Sequence, residues 1–251
     1  MNRLVIIGNG FDMAHGLRTS YMDFINWYWD QRVYGFIGNT TNVSQDCLCK
    51  LVIKETGDFS CWNVFAASNS YFFKDLYQKE RYSGSEVFQE IKQHPETFMV
   101  ECSPFFETIL QSIESKGWVD IENDYYQLLK DSINNPRCEY TITGLNQQLA
   151  FIQSKLVEYL STIKEGEYKS EYQKAITDYF NPDDFSTEGR VRALDNMGLD
   201  FDRPYDKQYF QEEHEKLAPE RIMLLSFNYT KTAQLYGGSN VVHNYIHGGL
   251  T

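Results

Sequence analysis

What this chain lacks narrows its biochemistry before any motif is considered. No apolar run approaches the ~20 residues that a membrane helix needs. The opening Leu4-Val5-Ile6-Ile7 reaches a glycine too soon to form the core of a signal peptide. Basic charge is scarce: 23 Lys and Arg against 35 Asp and Glu leave a formal net charge of −12. Nucleic acid is held by Lys/Arg neutralisation of its phosphates, and no dense basic stripe is visible, which argues against a nucleic-acid partner. The five cysteines, Cys47, Cys49, Cys61, Cys102 and Cys138, are odd in number and follow no leader, so they fit a reducing cytoplasm better than a disulfide framework. Cys47-x-Cys49 has neither a second cysteine pair nor a nearby histidine, which speaks against zinc and leaves no metal expected. The chain has no G-x-S-x-G elbow, H-E-x-x-H helix or G-K-[ST] loop. Internal repeats and low-complexity tracts are missing too.

What is present is an ordinary globular composition, 251 residues long and 42% apolar, enough for a large core. Aromatics reach 16% and gather mid-chain, as in Tyr71-Phe72-Phe73 and Tyr125-Tyr126. Such side chains bury much area at few rotatable bonds, so helix packing is the plain expectation.

Strand signals sit at the two ends. Leu4 to Ile7 is a continuous apolar run, as expected of a parallel strand buried on both faces. Gly8-Asn9-Gly10-Phe11-Asp12 follows at once, and a helix is predicted from Thr19-Ser20, where a hydroxyl can cap it and Asp23 lies three residues on. Tyr21, Phe24, Ile25 and Tyr28 give that helix its apolar stripe. The pattern weakens from 35 to 60. Helical spacing then marks Phe105 to Ile113, Ile121 to Leu129 and Leu145 to Ile163, while residues 184–218 are polar and unassigned. Strands return at Ile222 to Phe227 and Val241 to Ile246. The predicted architecture is α/β, a Rossmann-like, mostly parallel sheet with a large helical insertion between its first and second strands. Residues 1–34 and 219–251 would form the core, and 35–218 the insertion.

Candidate chemistry gathers at the strand ends, where parallel sheets place their ligands. The glycines of Gly8-x-Gly10 with Gly16 would let backbone N–H groups approach phosphate oxygens. A tight turn that needs positive φ explains the same residues, and the two readings stay open. Asp12 would repel a pyrophosphate unless it faces a ribose hydroxyl, a metal or local donors. Asn228 has an amide that both donates and accepts, suited to orienting water or a sugar hydroxyl, and a turn-forming Asn is the alternative. His247 ends the last strand before Gly248-Gly249, with an imidazole fit for general base or for a structural role. His243, on the same strand, stands ~13 Å from His247 at the usual rise, too far to share a metal, and reads as structural. Asp120 and Glu122, in Trp118-Val119-Asp120-Ile121-Glu122, suit a helix start, with Glu122 the sharper site candidate.

Gly8-Asn9-Gly10-Phe11-Asp12-Met13-Ala14-His15-Gly16-Leu17 with Thr19-Ser20-Tyr21 closely resembles the start of the bacterial AbiH proteins, associated with abortive phage infection. The Trp118–Glu122 segment, Ser226-Phe227-Asn228-Tyr229-Thr230 and Tyr245-Ile246-His247-Gly248 resemble its other hallmarks, in order. A remoter similarity, to sirtuin-like NAD-binding domains, rests on the glycine turn, Ser226-Phe227-Asn228 and His247-Gly248. That resemblance implies a sirtuin-like core that binds NAD through Gly8, Asn9, Gly10, Phe11, Asp12, Gly16, Ser226 and Gly248. Asn228 and His247 would be the catalytic pair for cleavage of the nicotinamide–ribose bond, with no metal, and a non-catalytic nucleotide sensor or scaffold is the alternative. The implied partners are a nucleotide ligand and a second copy of the chain or a phage-derived trigger. Neither nucleic acid nor membrane is among them. Asp12 stands where sirtuins usually carry Ser, Thr230 where related domains often carry Asp, and Arg18 where Pro is expected. The relatives continue beyond the position of Thr251, so a truncated chain with an incomplete site is expected.

Overall fold

The computed structural model describes residues 1–37, 42–54, 82–116, 120–135, 138, 140–181, 183, 185–200, 202–212 and 217–248. The chain forms two compact units, one made of Met1–Leu17 with Lys164–Thr251 and the other of Arg18–Ile163. Those boundaries lie at 17/18 and 163/164, where the sequence suggested 34/35 and 218/219.

The first unit is built on a parallel sheet of β1 (Asn2–Ile7), β5 (Arg221–Ser226) and β6 (Val241–Tyr245), in the order β1-β5-β6. Ile7 pairs with Ser226, and Ser226 with Tyr245, so all three strands end level. One face is the core: Ile7, Ile222 and Leu224 pack with Ala233, Tyr236 and Ile176. Ile176 comes from α7 (Ser170–Thr177), and Ala233 from a 3₁₀ turn at Thr232–Leu235. The other face corrects the expectation of strands buried on both sides. Leu4 is 57% and Ile6 68% exposed, and Met223 and Val242 emerge beside them. Side chains alternate across a strand, and the described elements that pack on this sheet do so on the Ile7 side. The polar stretch left unassigned in the sequence holds α8 (Thr187–Asn196) and α9 (Pro204–Glu212).

In the second unit, α2 (Tyr21–Ile37) starts where its cap chemistry predicted. The Asp23 N–H donates to Ser20 Oγ at 3.1 Å and the Ser20 N–H to Asp23 Oδ2 at 3.2 Å, a capping box with Asp in place of Glu. Phe24, Tyr28, Trp29, Val33 and Phe36 are all buried. Trp29 stacks on Phe88 of α3 (Gly84–Gln93) with centroids 3.5 Å apart. Gly84 allows that approach, because a Cβ there would sit inside the backbone of Trp29 and Asp30. Three further helices, α4 (Pro104–Lys116), α5 (Ile121–Asn134) and α6 (Ile142–Thr162), match the predicted helical spacings.

An antiparallel sheet went unforeseen: β2 (Val43–Gln45), β3 (Cys49–Ile53) and β4 (Phe98–Cys102), in that order. Its strands are three to five residues long, too short to give a clear period in a sequence window. Asp46 ties the β2–β3 turn. Its Oδ1 accepts from the N–H groups of Leu48 (2.8 Å) and Cys49 (2.9 Å), and the Tyr28 hydroxyl donates to Oδ2 at 3.1 Å. Arg32 Nε lies 3.1 Å from Oδ2 as an ion pair without hydrogen-bond alignment, while its Nη2 donates to the carbonyls of Ser44 and Cys49. Burial, and then the Asp46 charge, push the Tyr28 hydroxyl well up, so it remains a donor. No described helix is long and apolar enough to cross a membrane.

Asp46→Ala leaves the mostly buried Arg32 without its counter-charge and opens the turn. It should cost about 3 kcal/mol of stability, read by chemical denaturation, with Asp46→Asn costing less.

Candidate functional site

Because the three parallel strands end level, the segments that follow them meet at one edge. The ladder runs one residue past the strands: the Phe227 N–H donates to Ile7 O and the Ile246 N–H to Ser226 O, both at 2.9 Å. Residues 8–12, 227–230 and 246–248 therefore leave the sheet side by side.

The glycine segment is helical. α1 (Asn9–Ala14) begins immediately after Gly8, which caps it in an extended conformation (φ −121°, ψ −175°) with no side-chain cap bond. Neither Gly8 nor Gly10 has positive φ, so of the two readings left open the positive-φ turn does not apply to them. A Cβ at either residue would meet open space. The fold asks nothing special of these two positions. Gly16 differs: its φ is +78°, and it closes α1 in a Schellman motif, with the Leu17 N–H donating to Asp12 O (3.1 Å) and the Gly16 N–H to Met13 O (2.9 Å).

Two contacts join the beginning of the chain to its end. Asn228 Nδ2 donates to Gly8 O at 3.0 Å, and the Thr230 hydroxyl donates to Asp12 Oδ2 at 2.7 Å. Asp12 is 1% exposed, and its Oδ1 has no hydrogen-bond partner. A buried carboxylate with one oxygen unmatched is costly, so a ligand hydroxyl or a water is the fitting partner for it. Asn228 is itself buried, and its N–H donates to Ser226 Oγ at 3.2 Å, which holds the bend after β5. The Gly8 contact uses one of the two amide donors of Asn228.

His247 is exposed, stacked on Tyr229 (centroids 5.4 Å, 25°) and edge-on to Phe227 at 6.0 Å. Gly248 follows with φ +73°. His243 proves structural, donating from Nε2 to Tyr236 O (2.7 Å) and Ala233 O (3.0 Å). Asp120 accepts from the Asn123 N–H at 3.0 Å as the cap of α5, and Glu122 is exposed in that helix's first turn. Trp118 and Val119 lie outside the described residues. The second unit contains Asp120 and Glu122, and the first contains the strand-end segments.

Sequence reasoning gave His15 no role, yet it is the anchor of the glycine segment. It is buried, with Nδ1 2.6 Å from Phe11 O and Nε2 on the Tyr236 hydroxyl. The Tyr236 oxygen in turn accepts the Lys169 N–H at 3.1 Å. Phe11 O can only accept, so Nδ1 carries the hydrogen of that bond, and the Tyr236 hydroxyl is placed to donate to Nε2. Lys169 Nζ donates to Ala14 O at 2.7 Å, and the rings of Phe11, His15, Tyr172 and Tyr236 cluster around the joint. Nothing local in the sequence signals a bond across 221 positions. Among the described residues no three or more His, Cys, Asp or Glu side chains converge to hold a metal.

A family model described as "Bacteriophage abortive infection AbiH" matches residues 4–251, which takes in all three strand-end segments. No curated protein and no solved structure matches the chain.

Gly16→Ala should cost about 1 kcal/mol through its left-handed backbone and Gly8→Ala about 0.5 kcal/mol as the helix cap, whereas Gly10→Ala, inside α1, should leave the stability level or raise it by up to about 1 kcal/mol, all read by chemical denaturation. Thr230→Val strips the buried Asp12 carboxylate of its hydroxyl donor and should cost about 2 kcal/mol in the same measurement, with Thr230→Ser restoring most of it.

Proposed function

The chain belongs to the bacteriophage abortive infection AbiH family, and on that footing we propose that it serves anti-phage defence by binding NAD at the strand-end edge and cleaving its nicotinamide–ribose bond. The observation that carries this reading is the pair of contacts Asn228–Gly8 and Thr230–Asp12 at the strand ends, together with the buried Asp12 Oδ1 that has no partner. The glycines fit it as well. Space that a Cβ would fill lies over Gly8 and Gly10, where a pyrophosphate would approach the backbone of residues 8–11.

In this reading the strand-end edge is the counterpart of the nucleotide site of sirtuin-like, Rossmann-like domains, with two departures. Sirtuins usually carry Ser where this chain has Asp12, and related domains often carry Asp where it has Thr230. Here Asp12 and Thr230 bond to each other at 2.7 Å.

In this reading Asp12 and Asn228 hold the ribose hydroxyls, Ser226 fixes the Asn228 backbone, and Gly16 closes the helix that carries Asp12. Water adds to C1′ of the nicotinamide ribose as nicotinamide leaves, and His247 takes the proton released, so the products are nicotinamide, ADP-ribose and a proton. The charge that develops on the ribose in an oxocarbenium-like transition state is of the sign that Asp12 stabilises. No residue is assigned to hold a metal. NAD loss in an infected cell would halt the phage along with its host, in keeping with abortive infection and a cytoplasmic setting.

One observation favours a second reading, a nucleotide sensor. Among the described residues the His247 ring has aromatic contacts and no hydrogen-bond partner, whereas a general base is commonly oriented by a third group. Nicotinamide release from NAD by the purified protein, measured beside NAD binding by calorimetry, separates the two. Catalysis predicts turnover that falls about 10²-fold or more in His247→Ala with binding kept, and loss of binding in Gly10→Val. Binding without turnover in the wild-type protein favours the sensor, and absence of NAD binding rejects NAD cleavage and NAD as the sensed nucleotide.

A further inference from the structure

The second unit contains a pair of thiols whose placement follows from ladder geometry. Cys49 of β3 and Cys102 of β4 are direct cross-strand partners. The Ser103 N–H donates to Leu48 O and the Lys54 N–H to Thr97 O, both at 2.8 Å, so 48/103 and 54/97 are hydrogen-bonded positions of this ladder. Antiparallel pairs alternate between the two types, which makes 49/102 a non-hydrogen-bonded pair. At such pairs the side chains converge and the Cα atoms stand about 4.5 Å apart, within the span a disulfide bridges. The sulfurs lie 3.7 Å apart, in contact and unbonded.

The two thiols differ in access. Cys49 is 1% exposed, while Cys102 is half-buried and lines a cavity of about 610 Å³ together with Trp29, Phe88, Lys92, Glu107 and Gln111. They differ in acidity as well. The contact between the two sulfurs holds the Cys102 thiol below the ordinary range against its burial, whereas the same contact, and then burial, drive Cys49 well up. The more open thiol is therefore the better nucleophile, and the buried one is a protonated neighbour.

We propose that Cys49 and Cys102 are an oxidation site, a dithiol that hydrogen peroxide entering through the cavity converts to a cross-strand disulfide. The Cys102 sulfur attacks one peroxide oxygen, the O–O bond breaks, and a sulfenic acid and one water form, the water taking the thiol proton. The Cys49 sulfur then attacks the Cys102 sulfur. The S–S bond forms, the S–O bond breaks, and hydroxide leaves as water with the Cys49 proton. Two thiols and one peroxide give one disulfide and two waters, the sulfurs losing two electrons to the peroxide oxygens. The bond would clamp β3 to β4 beside the cavity and register the oxidative state of the cell.

The test treats the reduced full-length chain with a few equivalents of hydrogen peroxide, unfolds it in guanidinium with iodoacetamide, and maps its peptides by mass spectrometry. Two of the five thiols should be lost as a Cys49–Cys102 cross-linked peptide that dithiothreitol reverses. In Cys49→Ser, dimedone should label Cys102 with no cross-link, and in Cys102→Ser the oxidation of Cys49 should slow about tenfold or more. The proposal falls if Cys49 and Cys102 both remain alkylated while Cys47 or Cys138 oxidises, or if the cross-link joins a different pair. The wild-type map decides this whether or not the variants fold.

Discussion

Parallel pairing of β1 with β5 is the constraint on which the rest of the first unit depends. It sets Ile7 beside Ser226, and every contact of the candidate site follows from that register. Gly8 then lies within reach of Asn228, and Asp12 within reach of Thr230, across 220 and 218 positions of sequence. A slip of one residue would turn Ser226 from the core face to the opposite one and separate both pairs. The buried face of the sheet opposes such a slip, because Ile7, Ile222 and Leu224 would exchange places with exposed neighbours.

Around that register most buried polar groups are satisfied, while Asp12 Oδ1 and the Tyr245 hydroxyl have no hydrogen-bond partner. Lys169, Tyr236, His15 and Phe11 form an unbroken donor series that fixes both the His15 tautomer and the position of α1. Asn228 and Ser226 settle one another. Against this background the unmatched Asp12 oxygen stands out, since a fold able to seat a buried imidazole with both nitrogens bonded has no evident need to strand a carboxylate. Strand-end geometry, an open cradle over two unconstrained glycines and a carboxylate in want of a donor are together what a nucleotide ribose and pyrophosphate would complete.

The second unit obeys a different logic, with helices packed through aromatic rings and a short antiparallel sheet tied by Asp46. The same turn that seats Asp46 delivers Cys49 to its place opposite Cys102. Structural order around one charged side chain thus sets the distance between two sulfurs.

The sequence alone determined the local events. Ser20 and Asp23 marked the start of α2, apolar spacing marked α4 to α6, and apolar runs located β1, β5 and β6, because caps and periodicities are written in near neighbours. The N-terminal motif also placed the chain in its family. Tertiary structure decided what lay beyond that range. It showed that Gly8 and Gly10 need no unusual φ while Gly16 does, that one sheet face is exposed although its strands read as wholly apolar, and that Cys49 faces Cys102. It also joined Asp12 to Thr230, two residues that had looked like separate departures from a pattern. Such meetings depend on strand order and register, which arise from burial summed over the whole sheet and leave no trace in the spacing of adjacent residues.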